Sequence, residues 1–314
     1  MEKAAPEKLR NFLAKYSKKK IAIATHSRAD VDALSSAFAM SKLIPNSIIC
    51  TSEELGEGAQ MLAERFGIEI KDIANLKKTE FEGLVVVDTS AYTLLPDARG
   101  WKILLIIDHH RAEGRDMKGE TEIIDVESPS AAEIVANCGE GIDKEAAFAL
   151  CVGIIADGAR FKSARAGTFE TLAKLMKIAG ANYADLLSIA EPDPKNEAKI
   201  AMLTAMKRLN FVYVGGYVIA TSEIGGNESN AASVIAEASD VVFIAKWKDQ
   251  EQETRISARA RASVKIPLNE VMSEVAEELG GAGGGHRKAA GAALKCHTDE
   301  VLKKCVEVFS KMVG

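Results

Sequence analysis

Ile21-Ala22-Ile23-Ala24-Thr25-His26-Ser27-Arg28-Ala29-Asp30-Val31-Asp32 decides the fold. A short uncharged run, Ile21–Thr25, leads straight into a histidine and two aspartates, and a helical pattern follows over Val31–Lys42. A brief, continuous apolar run is what a strand buried on both faces looks like. The arrangement recurs outward from this stretch. Ser47–Cys50, Leu84–Asp88, Ile103–Asp108 and Glu122–Asp125 read as further strands, and Glu57–Phe66 as a helix. Such β/α alternation predicts an α/β fold, a doubly wound and mostly parallel sheet.

The chain is 314 residues long, enough for two cores of ordinary size. No apolar run approaches the ~20 residues of a membrane helix, and the charged N-terminus lacks a signal-peptide core. A cytoplasmic location is expected. Five scattered cysteines, none in a CxxC, argue against a disulfide framework or zinc knuckle. A net charge of -5 and 5% aromatic residues disfavour a surface for long nucleic acid. A short anionic ligand in a local positive pocket stays open.

Ser130-Ala131-Ala132-Glu133 has the form of a capping box, and helices dominate Lys144–Ala190. The polar, proline-bearing stretch Glu191–Glu197 marks a boundary. The expected organisation is a domain over 1–190, a linker over 191–199 and a second domain over 200–314. In the second half, Gly215-Gly216 between Phe211–Val214 and Tyr217–Thr221 signals a hairpin. Val241–Trp247 and Thr254–Ser263 read as strands, and Leu268–Leu279 and Asp299–Met312 as helices. This predicts a smaller, mixed α/β domain.

Four segments place metal-type ligands at what read as strand ends, the edge where open α/β sheets bind ligands. They are His26 to Asp32, Val85–Asp88, Ile106-Ile107-Asp108-His109-His110 and Gly153–Asp157. Singly, Asp30 could cap a helix, and Asp88 and Asp157 could be turn residues. Together they bring at least six carboxylates and imidazoles to one edge. Without a cation such carboxylates would repel and raise one another's pKa. Mixed Asp/His ligation suits Mn²⁺ and its neighbours better than Mg²⁺.

In the second half, Arg255, Ser257, Arg259, Arg261 and Ser263 alternate along one strand. They form either a solvated basic face or a phosphate-binding stripe. Gly280-Gly281-Ala282-Gly283-Gly284-Gly285-His286 follows a helix, either as a flexible cap or as a backbone nest for an anion. His297 falls outside every motif and reads as an ordinary histidine.

H-x-x-x-D-x-D, an isolated strand-end Asp, D-H-H and a later Asp, in that order from Ile21 to about Thr168, resemble the DHH phosphoesterase superfamily. G-G-G-H-x-x-A-A-G resembles the DHHA1 domain that follows in one branch, the compact nanoRNase/pAp-phosphatase type related to RecJ. The resemblance implies two metal ions, Mn²⁺ with Mg²⁺ or Co²⁺ as alternatives. It implies His26, Asp30 and Asp88 on one ion and Asp32, Asp88, His109 and Asp157 on the other. Asp108 and His110 are implied as catalytic groups, Asp108 supporting the site from behind and His110 facing the substrate phosphate. Arg259, Gly284, Gly285 and His286 are implied as substrate contacts. Gly158 departs from the Thr or Ser the family often has there.

The expected activity is hydrolysis of short oligoribonucleotides or of nucleoside 3′,5′-bisphosphates such as pAp, a short nucleotide being the partner. No G-x-S-x-G motif offers a protein nucleophile. A pyrophosphatase or polyphosphatase and a catalytically silent scaffold in a replication complex are the alternatives. A homodimer is allowed for.

Overall fold

The computed structural model describes residues 4–111, 114–158 and 161–314. The chain divides between Asp193 and Pro194 into two units. In the first, chain order is α1 (Ala5–Tyr16), β1 (Ile21–Ala24), α2 (Val31–Leu43), β2 (Ser47–Thr51), α3 (Glu57–Phe66) and β3 (Ile70–Asp72). Then come β4 (Gly83–Val87), β5 (Ile103–Asp108), β6 (Thr121–Ile124), α4 (Ala131–Cys138), α5 (Lys144–Asp157), α6 (Ala166–Ala179) and α7 (Tyr183–Ala190).

The six strands are all parallel, in the order β3-β2-β1-β4-β5-β6. This is the doubly wound α/β arrangement, and the order reverses between β1 and β4. β1, β4 and β5 are buried throughout, as continuous apolar runs demand. One face carries Ile21, Ile23, Val85, Val87 and Ile107 against the helices. The other carries Ala22, Ala24, Leu84 and Val86 against Leu95, Trp101 and Met117 from the β4–β5 and β5–β6 crossovers. The edge strand β3 escapes a sequence reading because Ile70-Lys71-Asp72 holds a single apolar residue.

The helix starts follow side-chain chemistry. Asp30 Oδ1 accepts the N–H of Ala33 at 3.0 Å and caps α2. Ser130 Oγ accepts the N–H of Glu133 at 3.0 Å and caps α4.

The second unit runs α8 (Asn196–Lys207), β7 (Asn210–Val214), β8 (Tyr217–Glu223), α9 (Glu228–Ile235), β9 (Val241–Lys248) and β10 (Glu253–Ala260). It ends with α10 (Leu268–Leu279), β11 (Gly281–His286), β12 (Ala289–Leu294) and α11 (Thr298–Val313). Its mixed sheet has the order β11-β12-β10-β9-β8-β7. Gly215 and Gly216 both have positive φ, 57° and 86°, and turn β7 into β8. α10 and α11 pack on one face through Phe243, Ile256 and Leu294, while α8 and α9 cover part of the other through Ala220, Val242 and Ile244.

Two expectations are corrected here. Only Gly280, φ 73°, caps α10; from Gly281 the glycine run is an edge strand, β11, paired with β12 in the register Gly284↔Gly291 and His286↔Ala289. Gly281, Gly283 and Gly285 answer to packing. A Cβ on Gly283 would stand 2.1 Å from the carbonyl oxygen of Met272 in α10. Second, β10 stops at Ala260, so the basic stripe ends at Arg259. Arg261 turns its guanidinium to the carbonyls of Ala236 (3.2 Å) and Glu237 just past the end of α9.

Candidate metal centre

The sheet order reverses between β1 and β4, and their C-terminal ends therefore flank a crevice. His26 follows β1, Asp88 follows β4, and Asp108 closes β5 with His109 and His110 behind it. Asp157 reaches the same place from another direction. It is the last residue of helix α5 rather than a strand end, which corrects the reading of the Gly153–Asp157 segment.

Asp88 organises the site. It has a left-handed backbone, φ 62°, directly after β4, a conformation aspartate tolerates better than most residues. Its Oδ2 lies 3.6 Å from Nε2 of His26, which is 3.9 Å from Oδ1 of Asp30. Its Oδ1 lies 3.3 Å from Nε2 of His109, which is 3.4 Å from Oδ2 of Asp157 and 4.0 Å from Oδ2 of Asp32. One carboxylate thus offers an oxygen to each of two clusters.

Asp32 is wholly buried and sits at the N-terminus of α4. Its Oδ2 accepts the N–H of Ala131 at 2.7 Å and its Oδ1 the N–H of Ala132 at 2.8 Å. Helix N-termini favour negative charge, and each oxygen keeps a free lone pair. Nδ1 of His109 donates to the carbonyl of Ser128 at 3.2 Å, which leaves Nε2 unprotonated for a ligand in the neutral ring. Asp108 faces the other way. It accepts from Nδ1 of His110 at 2.8 Å, from the His110 N–H at 3.1 Å and from the Ser90 hydroxyl.

Burial, then the charges of Asp88 and Asp157, push Asp32 well above the usual carboxylate range. Burial lifts Asp157 to about 6. Burial opposes charge on His26, yet Asp30 and Asp88 outweigh it and raise the ring to about 10. Burial likewise opposes charge on His109, and Asp88, Asp32 and Asp157 raise it to about 10. Without a cation, burial and mutual charge favour protons on this cluster, on the Asp32 carboxylate as well as on the two imidazoles.

The residues fit a pair of divalent cations. His26, Asp30 and Asp88 form one group, and Asp32, His109 and Asp157 another, each with a ligand atom apiece within 4.8 Å of the others. Donors on one ion at about 2.1 Å stand roughly 3 Å or more apart, the spacing seen here. Oδ1 of Asp88 is buried and finds no hydrogen-bond donor. Imidazole mixed with carboxylate suits first-row divalent metals.

Ser90 and Ser128 belong to the site and were not read from the sequence. Ser90 sits two positions past Asp88, a weak signal. Ser128 contributes only a carbonyl, which no side-chain pattern reveals.

The remaining candidates lie on the sheet of the second unit. Arg259, Ala289 and His286 form one row across β10, β12 and β11, and Ser257, Gly291 and Gly284 form the next. The guanidinium of Arg259 donates to Ser229 Oγ of α9 at 2.8 Å. Gly284 faces open space, whereas Gly285 has φ 132° and lies against Ala290. Arg255, further along β10, pairs with Glu253 at 3.1 Å.

The known proteins agree with this organisation. The sequence pattern of the DHH family, N-terminal domain, matches residues 20–154, and that of the DHHA1 domain matches residues 216–313. An uncharacterized protein of Methanocaldococcus jannaschii is 28% identical over 283 residues, spanning 85% of this chain and 84% of that one. The crystal structure of an exopolyphosphatase-related protein from Bacteroides fragilis superposes with a TM-score of 0.78 at 16% identity, over 99% of this chain and 96% of that one. RecJ from Thermus thermophilus, solved in complex with Mn²⁺, superposes with a TM-score of 0.53 at 14% identity, over 99% of this chain and 55% of that one. These likenesses in structure speak for the fold. The chain belongs to the DHH/DHHA1 phosphoesterase superfamily.

Proposed function

We propose that the protein is a manganese-dependent hydrolase of phosphate esters, acting on short oligoribonucleotides and nucleoside 3′,5′-bisphosphates. The observation that carries this reading is the divided carboxylate of Asp88, one oxygen toward His26 and the other toward His109. His26, Asp30 and Asp88 would hold one ion, and Asp32, Asp88, His109 and Asp157 the other. Bound there, two divalent cations supply Lewis acidity to water and to the phosphoryl oxygens of an in-line displacement.

The chain's own groups do the rest. With Nδ1 engaged by Asp108, the half-exposed His110 has Nε2 left to meet a phosphoryl oxygen or leaving group. Ser90 holds Asp108 from its other oxygen, so the imidazole keeps one orientation. On the second unit, Arg259 and His286 flank a floor of Ala289, Gly291 and Gly284 that lets a nucleotide approach the backbone closely. Gly285 supplies the positive φ that ends this edge strand at His286.

A substrate panel with Mn²⁺ tests the reading: pAp, dinucleotides to decamers, cyclic and linear dinucleotides, and pyrophosphate. Turnover of pAp or short RNA, with pyrophosphate slow, is expected. Pyrophosphate as the sole substrate would replace this reading with a pyrophosphatase. No turnover at all would leave a silent scaffold.

A further inference from the structure

β7 is an edge strand, and among the described residues nothing pairs with its outer side. Its sequence, Asn-Phe-Val-Tyr-Val, carries no charge, proline or bulge to blunt that edge. Phe211 and Tyr213 are 71% and 72% exposed. They lie on the sheet face that carries α8, because Phe211 pairs with Ala220, which packs with Ala205 of that helix. α8 continues the apolar surface with Ile200 and Leu203, 64% and 66% exposed, and with Met206. Three exposed apolar side chains interleave on this helix with the exposed Asn196, Lys199 and Lys207, an apolar share larger than a solvated helix face needs.

The register determines what this edge can bind. The two-residue turn makes Val214↔Tyr217 a doubly bonded pair, and so in turn Val212↔Ile219 and Asn210↔Thr221. Phe211 and Tyr213 therefore aim their backbone N–H and C=O groups outward. A second β7, run antiparallel about a twofold axis at Val212, meets this pattern group for group. Phe211 then pairs with Tyr213 of the other copy, twice, and aromatic cross-strand pairs are favourable. A twofold normal to the sheet keeps both α8 helices on the same face, row against row. Together with the exposed Val212, these side chains offer on the order of 700 Å² per copy, close to one partner's share of a standard interface, about 800 Å².

We propose that β7 and α8 form an isologous interface between two copies of this chain, joining two six-stranded sheets into one. None of its residues is among the proposed metal ligands, and the proposal does not depend on the proposed chemistry.

Sedimentation velocity of the full chain from 1 to about 100 µM is the test. The wild type should run as a dimer. Phe211→Lys with Tyr213→Lys, checked for a native circular-dichroism spectrum, should weaken the dimer by about 30-fold or more, the scale of a lost hot spot. Val212→Cys should form a disulfide-linked dimer under mild oxidation, whereas Ile178→Cys, exposed elsewhere, should not. A monomeric wild type, including one whose apolar row serves a different protein, overturns the proposal. So does a dimer that the lysine pair leaves intact or that Val212→Cys fails to cross-link.

Discussion

Nδ1 of His110 lies 2.8 Å from Oδ1 of Asp108, a buried carboxylate whose other oxygen takes the Ser90 hydroxyl. Burial alone would push Asp108 up, but His110 and Ser90 hold it below its ordinary range. Asp108 in turn raises His110. Asp108→Asn should therefore lower kcat by about 100-fold or more, the scale of a misdirected acid–base group, while metal stoichiometry stays at wild type. His110→Ala should cost a similar factor, and the double variant little more. Steady-state kinetics with elemental analysis of the purified proteins checks this.

Asp88→Ala removes the carboxylate that lies 3.6 Å from His26 of one cluster and 3.3 Å from His109 of the other. Turnover should vanish, and metal content should fall below that of Asp30→Ala, which touches one cluster. Equilibrium titration with Mn²⁺ reads the stoichiometry. Full occupancy in the Asp88 variant would contradict the shared-ligand arrangement.

Metal uptake should release protons. His26 and His109 sit near 10 in the metal-free site, so at pH 7 they are charged and must lose a proton to ligate. Apparent affinity for Mn²⁺ should rise with pH, and calorimetry in buffers of different ionisation enthalpy should give a positive proton count. The metal-free protein behaves oppositely. Raised histidines contribute stability that is complete below their unfolded value near 6.5 and is lost as pH climbs through 10. The melting temperature in chelator should therefore fall across that window.

Gly283 and Gly284 are adjacent yet should respond differently to alanine. The Cβ at 283 would meet the Met272 carbonyl at 2.1 Å, and at 284 it would meet nothing within 4 Å. Gly283→Ala should destabilise by about 2 kcal/mol and Gly284→Ala by less than about 0.5 kcal/mol, read as denaturation midpoints.

His286→Ala and Arg259→Ala should raise KM for a nucleoside bisphosphate by about 10-fold each, an Arg–phosphate contact being the stronger kind of hydrogen bond. Metal titration should be unaffected, because neither residue joins the two clusters. An unchanged KM would remove both from the substrate site.

Much of this protein is legible in the sequence alone, because strand burial, helix capping and turn formation are local. Apolar runs marked five of the six parallel strands, Ser130 and Glu133 marked α4, and Gly215-Gly216 marked the hairpin. The order of the Asp and His motifs marked the family. Only tertiary structure decided the rest, because it depends on which distant groups meet. Short β3 becomes a strand through pairing with β2, and the glycine run becomes β11 through pairing with β12, where α10 leaves no room for a Cβ at Gly283. Arg261 leaves its strand for the carbonyls past α9. Asp32 meets the N–H groups of Ala131 and Ala132, about a hundred residues away, only once the chain has folded. The division of Asp88 between His26 and His109 likewise requires two strand ends and a left-handed turn to arrive together, and sequence spacing alone does not encode that geometry.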